Sequence, residues 1–477
     1  MTGLVGRPAR EIAARVRAGE VTAVDVVRDH LNHVAKTNPG LNALPVVLAE
    51  AALGEAAEVD RRVAAGEPAG PLAGVPVSVK INVDVVGSAT SSGVAALAGQ
   101  VPGRDAPVVE RLRAAGAVVL ARGNMPDFGM RWHSDSGAHG ATVNPWDATL
   151  SPGGSSGGEA VALATGMSAL GLGNDYGGSL RLPSLAAGTL ALKPTTGVVP
   201  TASDLPPLDP SPTLQMFGVQ GPMARTVDDL VVAFDVLRGR HPRDPLSVDA
   251  DLRERPGPVP VALVVDPGGL GVDGEVVAGV HRAADALRVA GHEVHEVDPA
   301  VVVDSARLWL SLVVTDLQVT LADVLRQIGS PGAVAFLDDF LALADVLDRD
   351  GHVTALVERH ALGRAWADLT GSYPVVLGPV ATNGTFAVGR DLSGPDAVRE
   401  MWVSHRLLVA ANLLGVPAVA LPTGLDGRGL PTGAQLVGAA YGELDLLAAA
   451  RAIERAHPHI AAPLPPRPTR RPARSRR

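Results

Sequence analysis

At 477 residues, with 46% hydrophobic and 19% charged side chains, the chain is long enough for one large α/β domain and apolar enough to give it a substantial core. It contains no cysteine, which excludes disulfides, thiolate nucleophiles and Cys-ligated metals, and its formal net charge of −9 argues against a polyphosphate backbone as main ligand. The first residues lack an apolar signal core and no run reaches the length of a membrane span, so the expectation is a cytoplasmic protein that binds neither nucleic acid nor membrane.

In chain order, residues 10–65 read as helices. Apolar residues fall at helical spacing over Glu11–Val16 and Val24–Val34, Ala49–Ala65 is alanine-rich, and Thr22 is placed to cap the second helix. Residues 75–79 alternate as a strand, with Val75, Val77 and Val79 on one face and Lys80 sharing the other with Ser78. Asp105–Asn124 reads as helix, glycine stop and strand, a pattern of sheet covered by helices. An irregular run follows that holds Met130, Trp132 and Trp146 in a chain only 3% aromatic, which makes them candidate pocket walls.

Ser151–Ser184 is the chemically dense stretch: SPGGSSGGEAVALATGMSALGLGNDYGGSLRLPS, with glycine-flanked Ser155 and Ser179. Lys193, before Pro-Thr-Thr-Gly, reads as part of a structural turn. Met223–Leu237 is an amphipathic helix with Thr226 as cap. Pro258–Val265, Val276–Ala290 and His292–Val297 repeat the β-α-β grammar. Residues 304–372 look helical, carry Trp309, Phe336, Phe340 and Trp366, and read as an insertion capping an active site. Tyr373–Val380 returns to a strand leading towards Phe386. Val409–Leu421 and Gly433–Val437 close the core, and Leu444–Ala456 forms the last helix. With no internal repeat or linker, one domain over 1–462 is expected, followed by a disordered Pro/Arg-rich tail at 463–477.

Several motif matches fail on context. Gly153–Gly157 fits G-x-S-x-G, but a nucleophile elbow needs a strand immediately before it, and Asn-Pro-Trp-Asp-Ala-Thr-Leu-Ser-Pro is turn material. No lysine follows a glycine, so there is no phosphate loop, and no Ser-x-x-Lys occurs. His292 and His295 lie three apart in a strand-like segment and point to opposite faces, which leaves no HExxH zinc motif. No metal and no cofactor are expected.

What remains is Ser155, Ser179 and one lysine. Of 41 basic residues only Lys36, Lys80 and Lys193 are lysines, and lysine differs from arginine in that it can be deprotonated. A lysine ending a buried strand loses hydration, which favours the neutral amine. GGSSGG, NDYGGSLRLPS, upstream VPVSVK and downstream NLLGVPAVALPTG together resemble the amidase signature family, whose motif is GGSSGG followed by GTDxGGSxRxPA. The resemblance extends from about residue 9 to 460 and includes GPMARTVDD and LPTGAQLVG.

The resemblance implies a central mixed β-sheet flanked by helices on both faces. It makes Ser179 the nucleophile, Ser155 a relay in a cis peptide after Gly154, and Lys80 the general base. The oxyanion hole would use backbone N–H groups of Tyr176, Gly177, Gly178 and Ser179. A neutral lysine takes a proton through Ser155, which answers serine's need for a base at neutral pH. Lowering a lysine from about 10.4 to about 7.5 asks roughly 4 kcal/mol of the environment. Two departures stand out: Ile81 where the family usually has Asp, and Tyr176 where Thr or Ile is usual.

The expected activity is hydrolysis of an amide C–N bond in a small molecule, by a chain for which a homodimer is compatible. Acyl- or amidotransfer, and ester or carbamate hydrolysis, use the same apparatus and stay open, as does an inactive binding homologue. Met130, Trp132, Trp309, Phe336 and Phe386 suggest an apolar or aromatic acyl group.

Overall fold

A computed structural model describes residues 2–205 and 210–463; from 464 onward, the tail expected to be disordered lies outside the described residues. The strands in chain order are β1 (Val46–Val47), β2 (Pro76–Lys80), β3 (Val118–Gly123), β4 (Asp135–Ser136), β5 (Gly140–Ala141), β6 (Leu170–Asp175) and β7 (Leu190–Lys193), then β8 (Val219–Ala224), β9 (Val261–Leu263), β10 (Val294–Glu296), β11 (Val375–Gly378), β12 (Ala418–Leu425) and β13 (Pro431–Gly438). Eleven of them form one sheet in the order β1-β3-β2-β6-β8-β7-β12-β13-β11-β9-β10, while β4 and β5 pair as a separate hairpin. The sheet is mixed: β2 runs parallel to β3 and β6, and β9 to β10 and β11, whereas the central pairs from β6 through β13 to β11 are antiparallel.

Alternation along the strands explains why helices cover both faces. Val375 and Leu377 point into one apolar layer with Val77, Val79, Leu170 and Leu172, covered by the N-terminal helices and by helices Val227–Leu237, Gly274–Val289 and Glu443–Ala456. Val376, Ala262 and Val437 point into the other, covered by helices Ala300–Thr320, Pro331–Leu341, Arg349–Ser372 and Arg406–Leu414. Both expected caps are present: Asp25 N–H donates to Thr22 Oγ1 (3.0 Å) and Asp229 N–H to Thr226 Oγ1 (3.2 Å).

Some boundaries differ from the sequence reading. The strand expected over 258–265 is confined to β9, because Pro258 and Pro260 offer no N–H to a ladder. Lys193 closes β7 rather than sitting in a turn. The helical region begins at Ala300, directly after Pro299, and is broken into four helices. Among the described residues no single helix is long and apolar enough to cross a membrane.

Candidate active site

The parallel pairing of β2 with β6 sets the site, since both strands run to the same edge of the sheet and a sheet's carboxyl edge is where loops converge. Lys80 is the last residue of β2, and Asn174 and Asp175 are the last two of β6. The glycine-rich run 151–156 packs across that edge before helix Gly157–Ala164 begins, with Ser156 fastening it. Ser156 N–H donates to Ser179 O (3.1 Å) and Ser156 Oγ to Asn174 O (3.3 Å), so the two serine loops are stapled to each other. From the other side Ser134 Oγ donates to Gly153 O (2.9 Å) and accepts from Gly157 N–H (3.0 Å).

The Gly154–Ser155 peptide bond is cis. Gly154 leaves no room for a side chain: a Cβ there would lie 2.6 Å from the Trp132 carbonyl carbon and 2.7 Å from Arg131 O. Lys80 Nζ lies 2.7 Å from Ser155 Oγ and 2.6 Å from Asn174 Oδ1. Lys80 is fully buried, and Ser155 and Ser179 are 2% and 7% exposed. Burial pushes the Lys80 amine down to about 7, against the opposing pull of the Glu159 and Asp175 carboxylates. A base of that strength is neutral over a useful fraction of molecules near pH 7.

The loop that carries Ser179 hangs on a buried ion pair. Asp175 accepts from Gly178 N–H (2.8 Å), Leu180 N–H (3.1 Å), Asn412 Nδ2 (2.9 Å) and the Arg181 guanidinium, itself held by Leu408 O, Asn412 Oδ1 and Gln435 Oε1. Both partners are fully buried. Burial raises the Asp175 carboxyl, but Arg181 and the surrounding donors outweigh that and hold it well below the usual range. Because Asp175 engages Gly178 N–H, that group faces into the scaffold. The N–H groups of Tyr176, Gly177 and Ser179 meet no acceptor among the described residues.

The aromatic candidates divide by contact. Trp132, Trp309 and Phe336 enter one cluster with Phe340, which sequence reasoning had placed in the helical region without assigning it to the pocket. Trp132 meets Phe336 edge-on (5.7 Å between centroids), Trp309 meets Phe340 (6.2 Å), and the neutral ring of buried His405 lies 4.6 Å from Trp132. Met130 and Phe386 pack on the edge of this cluster, half-buried. Both indoles also hydrogen-bond to the Ser179 loop: Trp309 Nε1 donates to Tyr176 O (3.3 Å) and Trp132 Nε1 to Gly177 O (3.2 Å). Tyr176, the unusual residue of the loop, stacks near Phe217, and its hydroxyl is bonded to Thr213 Oγ1, which is bonded in turn to Asp316.

Two polar residues beside Lys80 escaped the sequence reading. Glu159 is completely buried, lies against Gly123, and neither carboxylate oxygen has a hydrogen-bond partner among the described residues. Burial raises its carboxyl, opposed by Lys80 and Arg122. Asn174 stands where the motif GTDxGGS has threonine, a third departure beside Ile81 and Tyr176 and a readable signal.

The family model described as Amidase matches residues 25–447. An indoleacetamide hydrolase of Bradyrhizobium diazoefficiens is 36% identical over 93% of this chain and 85% of its own length. A subunit of the glutamyl-tRNA(Gln) amidotransferase of Deinococcus radiodurans is 33% identical over 94% of this chain and 96% of its own. Among solved structures, 6-aminohexanoate cyclic dimer hydrolase complexed with substrate superposes with a TM-score of 0.84 at 28% identity, covering 95% of this chain and 98% of that one. The family model's match over most of the chain, the 36% identical relative and the shared mixed sheet with helices on both faces establish that this protein belongs to the amidase signature family, enzymes acting on carbon–nitrogen amide bonds.

Proposed function

We propose that the protein hydrolyses the amide bond of a small molecule through an acyl-enzyme on Ser179, with Ser155 as relay and Lys80 as base. The observation that carries this reading is the 2.7 Å contact between Lys80 Nζ and Ser155 Oγ inside a fully buried site. Neutral Lys80 draws the Ser155 proton, Ser155 Oγ draws the Ser179 proton, and Ser179 Oγ attacks the carbonyl carbon. The proton returns along the same path to the leaving nitrogen, and water then repeats the sequence to release the acid. The unengaged N–H groups of Tyr176, Gly177 and Ser179 are the donors for the developing oxyanion, and each such donor is typically worth about 10²–10³ in rate.

For the acyl group, the proposal is an aromatic one. Trp132, Trp309, Phe336 and Phe340 gather beside the nucleophile loop, and one relative carries the name indoleacetamide hydrolase. Ser179→Ala and Lys80→Ala are expected to abolish turnover and Ser155→Ala to reduce it severely, measured by mass spectrometry on arylacetamides and aliphatic amides of matched size. Near-normal turnover by Lys80→Ala at neutral pH would sink the mechanism, and a preference for the aliphatic set would sink the acyl-group assignment. Similarity to part of an amidotransferase supports a second reading, in which an amine replaces water. Adding hydroxylamine separates them: a hydrolase releases mainly the free acid, and a transferase diverts most product to the hydroxamate.

A further inference from the structure

The mechanism proposed above asks a lysine nitrogen to present its lone pair to Ser155, and the polar contacts of Nζ bear on how that is arranged. A neutral amine has two N–H groups and one lone pair, whereas an ammonium has three N–H groups and needs three acceptors. Nζ has two partners within hydrogen-bond distance, Ser155 Oγ at 2.7 Å and Asn174 Oδ1 at 2.6 Å. One accepts an N–H and the other can supply its proton to the lone pair, so the set suits the neutral amine. Among the described residues a third acceptor is absent, and no carboxylate lies within ion-pair distance of Nζ.

Asn174 is itself held. Its Nδ2 donates to Asn82 Oδ1 at 2.8 Å, which turns Asn174 Oδ1, not its nitrogen, towards the lysine. Between Lys80 and Asn82 in the chain stands Ile81, fully buried and apolar, where a carboxylate is usual in the family.

We propose that Asn174, latched by Asn82, is the positioning residue for Lys80: it aims Nζ at Ser155 with a neutral oxygen and so keeps charge off the base. This rests on the reading of Lys80 as base. The charged groups facing Lys80 from the neighbouring elements are Glu159 on helix Gly157–Ala164, Asp175 at the end of β6, and Arg122 on β3, whose Nη2 donates to Lys80 O at 3.2 Å. None occupies the place of Asn174 on Nζ. Exchanging its amide for a carboxylate of the same shape therefore keeps the hydrogen bond and adds a charge at contact distance.

The test is the pH profile of kcat/KM on an arylacetamide for the parent enzyme, Asn174→Asp, Asn174→Ala and Asn82→Asp. Asn174→Asp is expected to move the acidic limb upward by about one to three pH units, the usual effect of a contacting opposite charge, with activity recovering at high pH. Asn174→Ala should lower kcat about tenfold with KM little changed, because binding is intact and aim is lost. Asn82→Asp, at a half-buried position where a misfolded product is less of a hazard, should keep the latch and give a smaller upward shift. A limb that stays within about 0.2 units in both aspartate variants, with folding verified by circular dichroism, overturns the proposal. If Lys80→Ala instead keeps the parent's acidic limb, the limb belongs to another group and it is the base assignment that fails.

Discussion

Lys80 and Glu159 form a buried pair of opposite tendencies: burial lowers the first and raises the second, and each partly restrains the other. Lys80 in its proposed role as base works deprotonated, so kcat/KM should fall as pH drops through about 7. Glu159→Gln removes a carboxylate that favours protonated Lys80, and the limb should therefore move to lower pH, read from initial rates between pH 5 and 9. The same change deletes an unpartnered buried carboxylate whose folded-state titration lies above its unfolded one. That carboxylate costs stability as pH rises through its unfolded range towards about 7, so the variant should melt higher at pH 8. An unchanged limb would show that Glu159 does not communicate with the base. Lys80 was legible in the sequence because lysine is so scarce here, and the serines because they sit in a recognisable motif. Asn174 was legible only as a departure from that motif: it lies 94 positions from Lys80, and parallel pairing of β2 and β6, not local pattern, brings the two together.

At the scale of elements, the loop that carries Ser179 is gripped from three directions. Asp175 and Arg181 hold it from below, helix Arg406–Leu414 supplies Asn412 and Leu408 O, and helix Ala300–Thr320 reaches it through Trp309. In a trans peptide the N–H and C=O point opposite ways, so fixing Tyr176 O by the Trp309 indole fixes the direction of Gly177 N–H. Gly177 is the counterpart of that contact, since a Cβ there would lie 2.8 Å from the Trp309 ring. Trp309→Phe keeps an aromatic ring and deletes the indole N–H; kcat should drop about tenfold while KM changes little, measured in steady state on an arylacetamide. A rise in KM at constant kcat would make Trp309 a substrate wall alone, as the sequence by itself suggested. Periodicity located the first three helices, β2, β3, β10, β11 and the last helix to within a few residues, but marked neither β6, β7 and β8 nor the short helices that flank the serine loops. It said nothing of the order in which eleven strands pair, because crossovers between distant segments leave no mark on local spacing.

On the scale of the whole molecule, two of the three lysines end strands of one sheet and are fully buried, Lys80 on β2 and Lys193 on β7. Lys193 donates to Pro194 O (3.2 Å) and Val416 O (2.7 Å), and burial, with Arg181 adding to it, pushes its amine down to about 7. For a lysine lowered on folding, the unfolded chain binds the extra proton between about 7 and its unfolded value near 10.4, so stability rises with pH across that window and is lost on the way down. Lys193→Met should flatten this slope without removing catalysis, checked by urea denaturation at pH 7, 8 and 9. An equal slope in parent and variant would mean that Lys193 stays charged in the fold.

The burial of Lys80 and Lys193 also decides what the protein offers to amine chemistry. Lys36, on the exposed face of an N-terminal helix, is the one lysine turned to solvent. Acylating reagents, aldehydes and surface-coupling esters therefore meet a single side-chain amine in the folded protein, so that coupling through it attaches the molecule at one point and in one orientation.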